Sequence, residues 1–442
     1  MATPSPETST RFQPASRYNL VRLSSAVLAT VAVCYALLAG LHTLQDFDLG
    51  WQLATGRWVV QHRHLFSADV FSYTAVGQPW IYPILSGIAF YLAYLAGGYA
   101  LLSWTGAVAG AGTIVLLVRR QSLITCALAV VAVPLIANRT QPRAEMFTTI
   151  LFAAFLTLLW RHYRSGRARL WLLPVFMVGW VNLHPGFVAG LAICGAYVVL
   201  EVLDIPFAKE RQSARARLRH AWPWLTLTVA ATLVNPWGAS IYMALVRQAR
   251  AQSLHSAWIV EWGDIHPSWS SLRQALDWRD PQSCFWWLML AVFVSAGVAP
   301  WRKRWGAAVL LIAAAYLTMQ HVRLQALFAC IVVVIGGTLL DGLHNNQVQN
   351  DELHDADPRS SNFRRPSAAP SSRRPTLVAT AVTLLVTLTL TALALVRSGD
   401  LISNRYYMRS TQLSLFGAGL SWWHPERAVD FCNANTCRAM SS

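Results

Sequence analysis

Charge is what this chain has least of. Only 13% of its 442 residues are Asp, Glu, Lys or Arg, 55% are apolar, and mean hydropathy is +0.38. That ratio excludes a soluble globular domain, whose surface needs about a quarter of its residues charged. Strict apolar–polar alternation over about ten residues, the mark of a membrane β-barrel strand, is also missing. The apolar runs are continuous, so their backbone polar groups must be satisfied within helices. Cysteine is scarce, with seven residues in no zinc-binding spacing. Cys34, Cys126, Cys194, Cys284 and Cys330 fall in or beside apolar runs and read as small packing residues. Cys432 and Cys437 either pair in an oxidising compartment or remain thiols. There is no basic patch with interleaved aromatics on a soluble stretch, so the net charge of +16 does not point to nucleic acid. The polar N-terminus is followed by no small-residue cleavage site, which leaves an uncleaved first helix. An internal repeat is absent too, which argues against an inverted-repeat transporter.

What remains is an all-α polytopic membrane protein. Apolar runs predict about 11 transmembrane helices, near 21–43, 99–118, 123–137, 144–160, 170–182, 186–203, 221–234, 284–300, 305–320, 324–340 and 376–396. Several fall short of the roughly 20 residues a perpendicular span needs, so flanking Trp and Tyr must sit at the interface or the bilayer must thin. The segment 81–97 is apolar enough to cross. If it does not cross, Arg119 and Arg120, the basic runs 161–169 and 209–219, and Arg302 to Arg304 all fall on the N-terminal, cytoplasmic side, as the positive-inside rule requires. We therefore read 81–97 as an interfacial or re-entrant helix within a long outer loop, 44–98. The divisions that follow are a cytoplasmic tail (1–20), a membrane domain (21–340), a disordered cytoplasmic linker rich in Ser, Pro and charge (341–375), a last span (376–396) and a short outer segment (397–442).

The same topology gathers polar clusters on the outer face: carboxylates Asp46, Asp48, Asp69, Glu145, Glu261 and Asp264, cations Arg139, Arg143 and Arg323, and imidazoles His184, His266 and His321. In a chain this poor in charge, acids at a membrane surface are functional candidates. The set suits group transfer from a lipid phosphate, because a carboxylate can take the proton of an acceptor hydroxyl while Arg and His stabilise the departing phosphate. Asp46 and Asp48, spaced i, i+2, could share Mg²⁺ or Mn²⁺ through oxygen ligands. Each residue also has a plainer reading. Asp48 or Asp46 would cap a helix starting near Gly50. Arg143 and Arg139 would flank a helix at the interface, and His184 would be an interfacial hydrogen bonder in its Asn-Leu-His-Pro-Gly turn. Glu261 and Asp264, in a Trp-rich stretch with Trp258 and Trp262 as stacking platforms, would contact sugar hydroxyls or be solvated acids in an aromatic belt. Arg323 would pair with phosphate or snorkel.

The runs DFDLGWQLATGRWVVQHRHLFSADVFSYTAVGQPWIYP (46–83), RTQPRAEMFT (139–148), WVNLHPGF (180–187), LVNPWG (233–238), IVEWGD (259–264) and HVRLQALFA (321–329), taken in that order, resemble a group of bacterial multi-pass proteins that look like GT-C-type glycosyltransferases. The resemblance covers the chain from about 20 onward. It implies a GT-C-like fold in the bacterial inner membrane, with the N-terminus cytoplasmic and the C-terminus outside. It also implies an acidic motif in the first outer loop, matched by Asp46 and Asp48, juxtamembrane helices there, matched by 81–97, and a polyprenyl-phosphate sugar donor entering from the bilayer. The expected activity is transfer of that sugar to an acceptor on the outer face with inversion, Asp48 and Asp46 acting on the acceptor and Arg143, Arg139, His184, Glu261 and Arg323 on the substrates. Two positions depart from the family pattern: Gln52 stands where many relatives have His, and Tyr82 and Pro83 stand where many have a carboxylate. Such proteins usually continue into an outer soluble domain, so the chain reads as truncated after Ser442. The competing expectation is a transporter, lipid-handling protein or catalytically silent scaffold of the same fold.

Overall fold

The computed structural model describes residues 15–72, 76–119, 122–206, 211–251, 259–344, 377–410, 413–422 and 424. Within them the chain is helical, without a β-strand; pairing is confined to isolated bridges of His42 with Phe416, Leu44 with Leu420 and Ala68 with Pro79. The tail before residue 15, most of the stretch read as a linker, Trp258, Cys432 and Cys437 lie outside the described residues.

Seven helices are long and apolar enough to cross a membrane, and three more are apolar but shorter, 123–137, 172–183 and 305–320. Each expected run is a helix, but length and composition qualify fewer than eleven as spans. The first, α1 (Ala15–Gly40), turns Leu28, Ala32, Tyr35 and Ala36 inward on one stripe and leaves Leu23 and Val27 outside. After α2 (Asp48–His62) comes α3 (Leu85–Val118), which is two helices meeting at a kink. The first, from Leu85, covers most of the segment read as an interfacial or re-entrant helix, and the second continues as the next span; the break falls at Gly97 and Gly98, whose backbone angles are non-helical. Gly98, at φ 61° and ψ −157°, occupies a conformation open essentially to glycine alone. Then follow α4 (Leu123–Ala137), α5 (Glu145–Ser165), α6 (Leu172–Leu183), α7 (Phe187–Asp204) and α8 (Arg211–Ala231). The last begins well before the expected 221. Its basic stretch is helical because Arg217 makes two 2.8 Å bonds to Glu201 on α7, a fully buried carboxylate.

Beyond α9 (Ser240–Arg250) and α10 (Trp269–Leu276), α11 (Ser283–Trp301) and α12 (Trp305–Gln320) form an antiparallel pair. The next span joins α13 (Gln325–Ile331), a π-helical stretch Val332–Gly336 and α14 (Gly337–His344). Asp341, expected to open the linker, is instead in this helix, accepting from the Ile124 N–H and the Thr125 hydroxyl at the start of α4. Finally α15 (Leu377–Ile402) packs on α1 and leads into α16 (Arg405–Arg409). Val378, Leu385, Leu388 and Leu395 on α15 are largely exposed, an apolar face suited to lipid.

Contacts define two ends. At one, the Glu201–Arg217 pair lies near Asp204, which accepts from Tyr163 and from the Gly306 N–H, and the basic residues of the 119, 161–169, 215–219 and 302–304 stretches gather there. At the other, the α1–α2 connection meets the α4–α5 turn, the α6–α7 turn and the start of the 322–341 span. The segment 413–421 closes this second end against 41–45, with Thr43 N–H donating to Leu415, Leu44 N–H to Gly419 and Ser421 N–H back to Leu44 at 2.8–2.9 Å.

Candidate functional site

The second end holds a cluster of four carboxylates and three guanidinium groups. Its floor is the α4–α5 turn, residues 138–144, pinned from two directions. Gln52 on α2, which is buried, accepts from the Ala144 N–H at 3.1 Å. Gly106 on α3 lets the turn approach, since a Cβ there would lie 2.8 Å from the Thr140 carbonyl. Helix α2 is in turn seated on α3 through Gly56, where a Cβ would stand 2.1 Å from the Gly87 carbonyl. These contacts fix how far the two aspartates stand from the turn.

Arg143 lies at the centre. Its guanidinium reaches Asp46 at 3.1 Å, Asp48 at 3.2 Å, Glu261 at 3.3 Å and Glu145 at 3.7 Å. Arg139, buried, bonds Glu261 at 3.0 Å and approaches Glu145 at 3.7 Å. Arg323 pairs with both oxygens of Glu145, at 3.0 and 3.4 Å, and lies over the Trp262 ring at 5.1 Å. Six of the residues expected from sequence, Asp46, Asp48, Arg139, Arg143, Glu261 and Arg323, are therefore in one ion network. Glu145, which sequence placed among the outer acids without singling it out, is its hub.

No family model matches the chain, and no curated protein matches it. The chemistry of the cluster therefore has to be read from its own geometry.

The two aspartates are not equivalent. Asp46 accepts from the Asp48 N–H at 2.9 Å, so it is Asp46, and not Asp48, that meets the first backbone donor of α2. Its side chain is 17% exposed, that of Asp48 48%. Burial pushes the Asp46 carboxyl above the usual carboxylate range, against the pull of Arg143. With all groups ionised, four acids against three guanidinium groups leave an excess negative charge. Burial alone would weaken the charge on Arg143, but Asp46, Glu145, Glu261 and Asp48 outweigh it and raise its pKa further. Asp48 also accepts from the Trp51 indole at 3.3 Å. Tyr82 packs on Trp51 at 5.0 Å between ring centroids, and burial lifts its hydroxyl to about 12.

His184 stands beside the cluster but makes no ion pair there among the described residues. Its Nδ1 accepts from the Gly186 N–H at 3.0 Å, which leaves the ring proton on Nε2. Thr148, which accepts from the Trp180 indole at 2.9 Å, is 2.8 Å from the same Nδ1. Burial drives the pKa of His184 down to about 3, so the ring is neutral at physiological pH. The remaining candidates lie apart. Asp264 pairs with exposed His266 at 3.1 Å, and Asp69 is spent on a turn, accepting from the N–H groups of Phe71 and Ser72 and the Ser72 hydroxyl, bonds that lower its pKa.

The pair expected to share a divalent cation holds a guanidinium instead: one Oδ2 from each aspartate converges on Arg143. Oxygens so placed and so compensated fit an arginine better than a bridging ion.

Proposed function

We propose that the chain is an integral membrane glycosyltransferase of GT-C type, moving a sugar from a polyprenyl-phosphate carrier to an acceptor on the outer face of a bacterial inner membrane. The observation that carries this reading is Arg143 bridging Asp46 and Asp48 at one end of an apolar helix set. In it the acceptor oxygen attacks the anomeric carbon from the face opposite the phosphate, the carbon–oxygen bond to phosphate breaks, and its electron pair leaves with the polyprenyl phosphate. Asp48, the more accessible aspartate, takes the acceptor proton. Arg143, Arg139 and Arg323 are the cations available to the leaving phosphate; to use them it must displace a carboxylate, and Glu261, 35% exposed on a short 3₁₀ turn, is the one most easily moved. His184, neutral and carrying its proton on Nε2, can donate but not pair ionically. Eleven crossings, with the N-terminus cytoplasmic and the C-terminus outside, put the basic end inside and this cluster outside.

The test is transfer of radiolabelled sugar from polyprenyl phosphate by the purified protein. Asp48→Asn is expected to cut turnover by about 10²–10⁴, the usual contribution of a positioned base, and EDTA to leave it unchanged. Full turnover in Asp48→Asn would remove the assignment. A second reading has its own support: every guanidinium in the cluster already has a carboxylate partner, as in a network that only holds helices together. A silent scaffold, transporter or lipid-handling protein of this architecture predicts no transfer and a stability loss in the same variants.

A further inference from the structure

A cavity of about 480 Å³ opens at the same end of the molecule, on the other side of the α4–α5 turn from Arg143. It is enclosed by the ends of α1, α4 and α15, by α16 and by the loop entering α11. Its wall is built by Arg397, a buried residue of α15. Arg397 donates to the carbonyls of Trp278 and Asp280 and to the Ser283 hydroxyl at 2.7–3.1 Å, and to the Cys284 sulfur at 2.7 Å, so its hydrogen-bonding capacity is spent on the loop. The acids of that loop are partly spent as well: Asp280 accepts from the Gln274 amide and the Gln282 N–H, and Asp277 from the Arg279 N–H.

Asp400 is different. It lines the cavity, is 9% exposed, and makes no ion pair or hydrogen bond among the described residues. Its oxygens are not among the buried polar atoms left without a partner, so they remain open to the cavity as acceptors. The lining indicates the ligand. Acids and guanidinium groups balance, so neither a phosphate nor a polyamine is favoured. The side chains of Asn138 and Gln141 offer amides that both donate and accept, and Tyr406 and Tyr407 offer ring faces and hydroxyls. Converging acceptors, amides and aromatic surfaces in a space of this size are what a ligand rich in hydroxyl groups needs.

We propose that this cavity is a carbohydrate-binding site separate from the Arg143 cluster, with Asp400 accepting sugar hydroxyls. On the transferase reading, on which this last step rests, its occupant is the acceptor: Gln141 and Arg143 lie in one turn, and His42, another lining residue, precedes Asp46 in one short connection.

The experiment is saturation-transfer NMR on the full chain in lipid nanodiscs, free of glycoside detergents. The probes are the methyl glycosides of galactose, mannose and arabinose, with glycerol and ethanolamine as comparison ligands. At least one glycoside is expected to bind above glycerol and to weaken about tenfold in Asp400→Ala, the size of one charge-assisted hydrogen bond. Asp400→Asn, which keeps the shape, shows through an unchanged melting temperature that the loss is local. Binding of no glycoside above glycerol, binding of ethanolamine alone, or equal binding in Asp400→Ala overturns the site. Glycoside binding without sugar transfer sinks only the transferase reading, and transfer without glycoside binding sinks only the cavity.

Discussion

A buried carboxylate shared by guanidinium groups is worth most as the thing that keeps them apart. Glu145 is the acid joining Arg323 to the rest of the network, and its side chain is 8% exposed. Removing its charge leaves Arg323 without the acid it pairs with and Arg139 with Glu261 only. Glu145→Gln is therefore expected to destabilise the protein by about 3–5 kcal/mol, as for other broken buried pairs. Glu261→Gln, at a third exposed, should cost about 1 kcal/mol or less; melting in detergent compares the two. His184 makes a pH prediction. Its folded pKa, about 3, lies below the ordinary 6.5, so the unfolded chain binds the extra proton in that interval. Its contribution to stability is full above 6.5 and is lost as pH falls toward 3. The melting temperature of the wild type should thus fall more steeply over that range than that of His184→Gln. Most of these residues were legible in the sequence, because counting basic residues loop by loop placed Asp46, Asp48, Arg139, Arg143, Glu261 and Arg323 on one side. Glu145 was not: in the run Arg-Ala-Glu before an apolar stretch it looks like an acid at a helix start, and the arginine it pairs with most closely, Arg323, comes from a distant segment. The neutrality of His184 comes from burial, which its Asn-Leu-His-Pro-Gly turn does not display.

Helices α2 and α3 meet through glycines, and the meeting fixes the aspartates. A methyl group on Gly56 would collide with the Gly87 carbonyl and the Tyr91 Cβ, neither of which is the loose end of a side chain. Gly56→Ala is expected to cost about 1–3 kcal/mol, the usual penalty for overpacking. It should also lower sugar transfer without touching a charged residue, and limited proteolysis should cut faster within 63–84. The element-level reading of the sequence succeeded where apolar runs were long and unbroken, as in α1 and α15. It failed at α8 because a basic stretch reads as a loop when its partner, Glu201, is hidden inside another helix. At 81–97 the expected separation from the following span rests on two glycines, Gly97 and Gly98, whose non-helical angles set the kink between the two helices.

At the scale of the whole molecule, the two ends differ in charge, and that difference predicts orientation. In a cysteine-free background, single cysteines at Val76, 65% exposed in the loop between α2 and α3, and at Ser165, in the basic end, should react with a membrane-impermeant maleimide from opposite sides, Val76 from outside. Labelling of both from one side would dismantle the site along with the topology. The binding of 413–421 to 41–45 has a further consequence. The connection that carries the aspartate pair is tied down by residues that follow α15, so a ribosome must translate past them before that connection can settle. A nascent chain halted after α15 would hold its helices in the bilayer with the aspartates still unmoored, and the site would form only once 413–421 had emerged.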